Sequence, residues 1–505
     1  DAFEFNSASV SNQGTAPMAS AFASLHHPPP DRAYNWLISG VLVMITIVRS
    51  MAVITTPLDL GVDEAQYWLW SQTPDFGYFT KPPLIAWIIG FAHALLGHHT
   101  WAVRLPACWI HLITALLLWR GATWLYGQHA GRLAALIWIS LPAVGLGSFL
   151  ISTDTPLLAL WSAGLVALCG IVSGRLSSSV GMGLAGLAFG AAMLAKFAAI
   201  YALLGLVLIL LHGRMTRQQL FDWRDLGLTL MAFGLAASPN IIWNFAHEFS
   251  TVRHLGDNAN ISQQSASISG VWQFIGGQFG VAGPIMLLVM AIAAIRQWHD
   301  HKTRWLVWMS APVLGLMIVQ SYLSNANANW TMTAFPALTL LAAGWLSRVQ
   351  KRCYSIMAIG INFGLGLLVL LVTIAGSMGP LTPSSDPLRR LRGWQQLAAD
   401  ITPYIAAHNA AVIIADRRAT AALLNWHFYQ TDLQILVHDR DGIPSNHFEA
   451  NHSWSPQAGR RLIALTGDNV PPALPGVSWL LPTGTSRVTI SQNKQRQFTI
   501  YRGIE

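Results

Sequence analysis

Asp63 and Glu64 open the stretch DEAQYWLWSQTPDFGYFTKPP, residues 63–83, which closes on Lys81 and two prolines. An acid beside a reacting hydroxyl takes its proton, or holds a divalent metal against a phosphate. Asp63 and Glu64 fit either role, and equally the plain start of a short helix, where the helix dipole favours acids. Lys81 precedes two prolines that fix the backbone, so it is placed either to meet a lipid phosphate or simply to snorkel its charge out of an apolar layer. Asp154 lies in ISTDTP, whose Ser152, Thr153, Asp154 and Pro156 also spell an ordinary helix start. Lys196 lies in MLAKFAAIY with almost no loop around it, and an ion in such a place needs a partner. An anionic ligand is the preferred partner, Asp154 the plainer alternative. The stretch WNFAHEFSTVRH, residues 243–254, carries Asn244, His247, Glu248, Arg253 and His254. Helical spacing puts His247 and His254 on one face near Arg253, which suits phosphate or sugar recognition, whereas two histidines do not define a zinc site. NANANW at 325–330, with Asn329, offers amides to a sugar or caps the helix that follows.

These polar places are set in a very apolar chain. Of its 505 residues 53% are hydrophobic and 10% charged, where a soluble domain carries about 25% charged residues. A membrane protein is the reading that fits, and the 22 tryptophans suit an interfacial belt. The net charge of +8 comes with no basic stripe interleaved with aromatics, so nucleic-acid binding is not indicated. The three cysteines, Cys108, Cys169 and Cys353, have neither metal-knuckle nor disulfide spacing. Residues 1–33 lack the basic and apolar blocks of a signal peptide and read as a flexible cytoplasmic tail; the missing initial Met reads as trimming.

A spanning helix needs about 20 mostly apolar residues. Eleven stretches qualify as expected spans: 35–56, 102–119, 132–149, 155–173, 178–194, 197–212, 227–244, 271–293, 304–322, 331–346 and 354–377. LIAWIIGFAHALLG, 84–97, is short and holds a histidine, so it is expected along the interface instead. With the N-terminus inside, Arg120, Arg132, Arg175, Arg214, Arg217, Arg224, Arg296, Lys302, Arg304, Arg348, Lys351 and Arg352 all fall in cytoplasmic loops, as the positive-inside rule expects. The loop 57–101, the turns at 151–156 and 194–201, the loop 245–270 and residues 324–330 then share the outer face, where their polar residues meet in one cavity.

After about residue 380 charges become frequent, and the short apolar runs AVIIAD, LQILVH and RLIALTG alternate with a helical RATAALLNWHFYQ. The expected organisation is a tail, 1–33; a membrane domain, 34–379, carrying the external loops 57–101 and 245–270; and a small α/β domain, 380–505, outside the membrane.

DEAQYW with GYFTKPPLIAW, RLPA at 104–107, STDTPL at 152–157, LAKFAAIY at 194–201, WNFAHEFSTVRH and NWTMTAFPAL at 329–338 together resemble the GT-C superfamily of polyprenyl-phosphate-sugar-dependent glycosyltransferases. The resemblance is to the branch that holds bacterial aminoarabinose transferases of lipid A and relatives of protein O-mannosyltransferases. It covers residues 35 to about 346. It implies a polytopic helical membrane protein with interfacial helices in the first external loop, in a bacterial inner membrane, with the active site and the C-terminal domain periplasmic. It makes Asp63 the essential acid with Glu64 beside it, Asp154 the acid of the second external turn, and Lys81 and Lys196 the lysines that touch the carrier phosphate. Tyr78 and Tyr201, from the same motifs, join His247, Arg253, His254 and Asn329 as expected substrate- and phosphate-binding residues. Mg2+ or Mn2+ on Asp63 and Asp154 is the weaker, metal-bridged version.

The activity implied is transfer of a monosaccharide from a polyprenyl phosphate to a lipid, glycan or protein acceptor. Asp63 activates the acceptor hydroxyl, and the anomeric carbon inverts. The competing class is a transporter or flippase of a lipid-linked glycan; such proteins commonly show inverted repeats and broken helices at the midplane, and no repeat is evident here. A noncatalytic assembly protein has no need of this set of acids and lysines.

Overall fold

The computed structural model describes residues 31–249, 251, 266–349, 353–379, 386–439, 441–467, 470–480, 482–491 and 494–505. The chain divides into two units, Asp1–Val41 and Leu42–Glu505. Of the first, residues 31–41 are described and helical; the expected tail, 1–33, lies almost wholly outside the described residues.

In chain order, α1 (Asp31–Thr55) is followed by two short helices of the first loop, α2 (Val62–Gln72) and α3 (Leu84–Leu96), and then by α4 (Thr100–Tyr126). The pair α5 (Gln128–Ser140) and α6 (Pro142–Phe149) is bent by 58°, because Pro142 has no N–H to continue the ladder. Next come α7 (Asp154–Val172), α8 (Ser178–Met193), a 3-10 turn at Phe197–Ile200 leading into α9 (Tyr201–Thr216), and α10 (Trp223–Ala246). A second pair, α11 (Ile268–Ala282) and α12 (Pro284–Gln297), is bent by 100° at Gly283, which takes φ 87° ahead of Pro284. The helical part ends with α13 (Trp305–Trp308), α14 (Ala311–Leu323), a 3-10 segment Ala328–Ala334, α15 (Phe335–Arg348) and α16 (Cys353–Ala375).

Among the described residues seven stretches are long and apolar enough to cross a bilayer, or nine when each bent pair is taken as one span. Four of the eleven expected spans differ: 132–149 and 271–293 are the two bent pairs, and α8 has 16 residues and α15 has 14, shorter than the about 20 that a straight crossing needs. The stretch expected to lie along the interface is the 13-residue α3, packed beside α2. The outer faces carry what lipid requires. Met44, Ile47 and Met51 on α1 and Met231, Leu235 and Ile242 on α10 are exposed, an arrangement that water would penalise. The glycines of GMGLAGLAFG pack within the chain. A Cβ on Gly186 would run into the Thr229 carbonyl, and one on Gly190 into that of Phe233, so α8 and α10 approach backbone to backbone. Cys108 and Cys169 are buried and Cys353 is exposed, and no disulfide joins any of the three.

The C-terminal residues form an extramembrane domain around a small open sheet. The apolar runs seen in the sequence become β1 (Val412–Ala415), β2 (Gln434–Val437) and β3 (Arg461–Thr466); α17 (Trp394–His408) precedes them, α18 (Arg418–His427) joins β1 to β2, and α19 (His447–Asn451) precedes β3. β1 pairs in parallel with both β2 and β3, with Ile413 opposite Ile435 and Ile463. β3 pairs antiparallel with β6 (Lys494–Ile504), against which β4 (Ser478–Trp479) and β5 (Gly484–Ser491) also run antiparallel. Every residue of β1 is buried, the pattern of a central parallel strand covered on both faces.

One face of this sheet is covered by α17 and α18, and α18 packs in turn on α2 of the first loop. Ile413, Ile463 and Leu465 share a single apolar cluster with Trp68, Trp70 and Ile85. Asp59 Oδ2 accepts from the Trp394 and Gln395 N–H groups at 2.8 and 3.4 Å, so a carboxylate ahead of α2 satisfies the first orphan donors of α17.

Candidate active site

The two acids at the start of α2 point to different fates. Glu64 is 3% exposed. Its Oε2 accepts from Gly61 N–H at 2.8 Å and from Arg104 Nη2 at 2.8 Å, and its Oε1 from Arg104 Nε at 3.0 Å and Ile151 N–H at 3.1 Å. Arg104, on α4, is fully buried and also donates to the Leu58 and Asp59 carbonyls at 3.1 and 2.6 Å. Both oxygens of Glu64 are thus engaged, which is at odds with its expected place in a catalytic pair. It ties α2 to α4 and to the turn before α7.

Asp63 is the acid left facing outward, its side chain 64% exposed. Its Oδ1 accepts from Arg418 Nη2, and Arg418 Nε donates to Gln66 Oε1 at 2.6 Å. Asp63 Oδ2 has no hydrogen-bond partner among the described residues.

Asp154 starts α7 and faces Lys196, with Nζ to Oδ1 at 2.7 Å; Asn329 Nδ2 donates to Asp154 Oδ2 at 3.0 Å. The plainer of the two partners expected for Lys196 is therefore present. Lys196 sits in extended backbone between α8 and the 3-10 turn, and the Leu84 N–H that follows Lys81-Pro82-Pro83 donates to the Leu194 carbonyl at 2.8 Å. That backbone bond draws the two lysine segments together. Burial lowers the Lys81 pKa from its ordinary value; Lys196 repels it in the same direction and Asp63 and Asp154 oppose. Lys81 Nζ has no ion-pair or hydrogen-bond partner among the described residues. Asp63, Lys81, Asp154, Lys196 and Arg418 thus form one electrostatic group of three cations and two carboxylates.

The remaining expected residues divide. Tyr78 is 6% exposed, stacks on Trp70 with centroids 4.7 Å apart and planes 2° apart, and donates its hydroxyl to the Trp70 carbonyl at 2.9 Å. It braces the loop and is not available as the phosphate ligand expected; burial pushes its phenol up to about 12. His247 closes α10, with Nδ1 2.8 Å from the Trp243 carbonyl and its ring stacked on Trp243 at 4.0 Å. The same end of α10 clamps the first loop: Trp243 Nε1 donates to Asp75 Oδ2 at 2.7 Å and Asn240 Nδ2 to the Phe76 carbonyl at 2.7 Å. Tyr201 opens α9 just after the Lys196 turn. Arg253 and His254 lie outside the described residues.

Sequence reading missed Arg418 and Gln66, and nothing local marks them. Gln66 reads as one more polar residue on an interfacial helix. Arg418 lies in another domain, in a helix whose pattern reports only burial.

Behind α2 the two domains meet in an aromatic joint. Trp68 packs edge-on against Trp426 at 4.9 Å, and His98 lies over Trp426 at 3.7 Å and Tyr429 at 4.5 Å. His98 Nε2 is 3.0 Å from the Trp426 carbonyl, which makes Nε2 the protonated nitrogen. Burial holds the His98 pKa down at about 4 and lowers that of His93, whose ring packs edge-on against it, in the same direction. The unfolded chain takes up a proton near the ordinary value of about 6.5. Between there and about 4 it binds protons that the folded joint refuses, so stability falls as pH falls through that window. The melting midpoint in nanodiscs should drop across it, less steeply in His98→Asn; equal slopes would remove His98 from the account.

A divalent cation would call on Asp63 and Asp154. Each already faces a cation, and among the described residues no three His, Cys, Asp or Glu side chains converge.

Residues 80–243 match the family described as dolichyl-phosphate-mannose-protein mannosyltransferase. The chain is 32% identical over 436 residues to lipid A galacturonosyltransferase RgtD of Rhizobium johnstonii, covering 85% of this chain and 90% of that one. It is 27% identical over 342 residues to an undecaprenyl phosphate-alpha-4-amino-4-deoxy-L-arabinose arabinosyl transferase of Pectobacterium atrosepticum, covering 63% of this chain and 58% of that one. The crystal structure of ArnT from Cupriavidus metallidurans bound to undecaprenyl phosphate superposes with a TM-score of 0.66 at 17% identity, over 93% of this chain and 98% of that one, a likeness of fold. A match of 32% identity along 90% of a whole transferase, on a fold whose polar loops converge at one end of the helices, is enough: this chain belongs to the GT-C superfamily of polyprenyl-phosphate-sugar-dependent membrane glycosyltransferases.

Proposed function

We propose that this glycosyltransferase moves a uronic acid residue from a polyprenyl phosphate to a lipid A-type acceptor on the periplasmic face, with inversion at the anomeric carbon. The observation that carries the reading is the pairing pattern of the charged group. Asp154 answers Lys196 and Arg418 answers Asp63, which leaves the Lys81 cation without a partner and one Asp63 oxygen free among the described residues. The free cation suits the carrier phosphate, and the free oxygen suits an acceptor hydroxyl. The likeness to a galacturonosyltransferase supports an acidic sugar, and the cationic excess of the group agrees with it.

The polyprenyl tail lies against the lipid-facing helices and brings its phosphate to Lys81. Asp63 Oδ2 takes the proton of the acceptor hydroxyl as its oxygen attacks the anomeric carbon from the side opposite the phosphate. The anomeric carbon–oxygen bond breaks, its electron pair leaves with the polyprenyl phosphate, and Lys81, with Lys196 behind it, stabilises the charge that develops there. Asn329 holds Asp154, and Asp154 holds Lys196, so these two orient the cation. His247, Tyr201, Arg253 and His254 remain candidates for the sugar and the phosphate. No step is routed through a metal.

The topology belongs to the same reading. With α8 and α15 added to the nine stretches, eleven spans put the N-terminus in the cytoplasm and the first loop, the turn before α7 and residues 380–505 in the periplasm, as the positive-inside bias requires. Residues 34–379 are then the membrane domain.

Protein in nanodiscs is to be given polyprenyl-phosphate galacturonate or a neutral polyprenyl-phosphate hexose, with lipid A as acceptor. Release of carrier phosphate with a matching mass gain on lipid A, for the uronate only, is the expected result. Transfer of the neutral sugar alone would overturn the acidic-sugar reading, and binding without release under every acceptor would overturn transfer of these substrates. In the same system Lys81→Ala should weaken donor binding by about 10- to 100-fold, the worth of one charge-assisted hydrogen bond. Lys196→Ala should weaken it less, since Asp154 already occupies that lysine. Equal losses would remove the distinction.

A further inference from the structure

We infer that Arg418, carried on the C-terminal domain, is a positioning residue for Asp63, so that the active site is complete only when that domain is docked on the first loop. The inference rests on the reading of Asp63 as the acceptor-side base.

The guanidinium spans two residues of one helical face. Its Nε meets Gln66 Oε1 at 2.6 Å and its Nη2 meets Asp63 Oδ1. An arginine has no acceptor, so the Gln66 amide must turn its oxygen toward it; Gln66 is fully buried and its Nε2 is left without a partner. A glutamine amide buried at that cost fixes where the guanidinium lies, and the guanidinium fixes which Asp63 oxygen is taken. Oδ1 is held and Oδ2 is left for the acceptor. Asp63, being largely exposed, has nothing else among the described residues to choose its rotamer.

Arg418 in turn is not free to wander. It begins α18, whose far end is seated in the aromatic joint through Trp426 and Tyr429. The domain is pinned a second time where Asp59 caps α17. Two anchors on the first loop therefore deliver one guanidinium to one carboxylate. The helix that carries the base and the helix that carries its partner lie 355 residues apart in the chain, and only docking brings them together.

The test is a double-mutant cycle with donor binding and melting midpoint measured on every variant. Arg418→Ala should lower kcat by about 10- to 100-fold, the cost of letting a reacting group drift by about an ångström, while donor affinity falls much less, by the loss of one cation from the group, and the midpoint falls modestly because Gln66 loses its partner. Arg418→Lys keeps the charge and loses the fork, so it should recover only part. In an Asp63→Asn background Arg418→Ala should cost nothing further, because residues acting as a unit are not additive. Full turnover by Arg418→Ala, while Asp63→Asn is inactive, would overturn the positioning role and leave the base in place. An additive second loss, or a donor affinity that falls as far as kcat does, would make Arg418 a structural contact only. Normal turnover by Asp63→Asn would instead strike the underlying assignment of the base.

Discussion

Asp63→Asn should lower kcat by about 10²- to 10⁴-fold, the range that a positioned general base supplies, in a protein that is folded and still binds donor. The substitution keeps size and leaves an amide oxygen for Arg418, and the side chain is 64% exposed, so the folding cost should stay within about 0.5 kcal/mol. The charge change adds a direction to the binding result. Removing one carboxylate from a group of three cations and two acids makes the site more positive, so a carrier phosphate should bind as tightly as before or somewhat more tightly. Loss of turnover with donor affinity retained or raised is therefore the signature, read from carrier-phosphate release and from direct binding of the carrier. A variant that turns over normally would sink the base assignment, and one that loses donor binding as much as turnover would move Asp63 from the reacting hydroxyl to the donor.

The chemistry-bearing places were legible in the sequence because apolar surroundings make them conspicuous. An acid pair directly after a span, a lysine ahead of two prolines and a lysine with no loop around it each break a pattern that lipid otherwise enforces. The division of labour between neighbours was not legible. On a helix of 3.6 residues per turn, Asp63 and Glu64 face directions about 100° apart, and which one is buried depends on Arg104, forty residues on. The pairing of Lys196 with Asp154 and the inward stacking of Tyr78 on Trp70 are likewise settled by packing, since an aromatic or a lysine in a motif looks the same whether it meets a ligand or a neighbour. The breaks in the helices were half visible. Pro142 and Gly283-Pro284 stand in the sequence within two expected spans, and the structure bends at both. The short α8 and α15 gave no such sign, because apolar content reports that a segment is buried, not how far it runs. Arg418 was beyond reach altogether: its significance exists only in the docked arrangement of two segments that share no local pattern.

Glu64→Leu should be among the most destabilising single substitutions in the protein, and more so than Arg104→Met, although both break the same pair. The Glu64 and Arg104 side chains are 4% and 0% exposed, and removing one partner from a buried ion pair costs about 3–5 kcal/mol because the other is left uncompensated. The two survivors differ. A stranded Glu64 keeps the Gly61 and Ile151 N–H groups, and a carboxyl can also neutralise itself by taking up a proton. A stranded Arg104 keeps the Leu58 and Asp59 carbonyls but cannot lose its charge. Glu64→Leu also leaves the Gly61 and Ile151 N–H groups without their acceptor. The order expected for the melting midpoint in nanodiscs is therefore wild type, then Arg104→Met, then Glu64→Leu. The double variant Glu64→Leu with Arg104→Met should recover much of the loss, since replacing a whole buried pair by apolar groups of similar volume is often neutral or better. Activity should follow a different order. Every one of these changes frees the start of α2, so kcat should stay low in the double variant even where the midpoint returns. Recovery of both together would show that the pair serves stability alone; a single variant that melts with the wild type would show that Glu64 and Arg104 do not depend on one another in the folded protein.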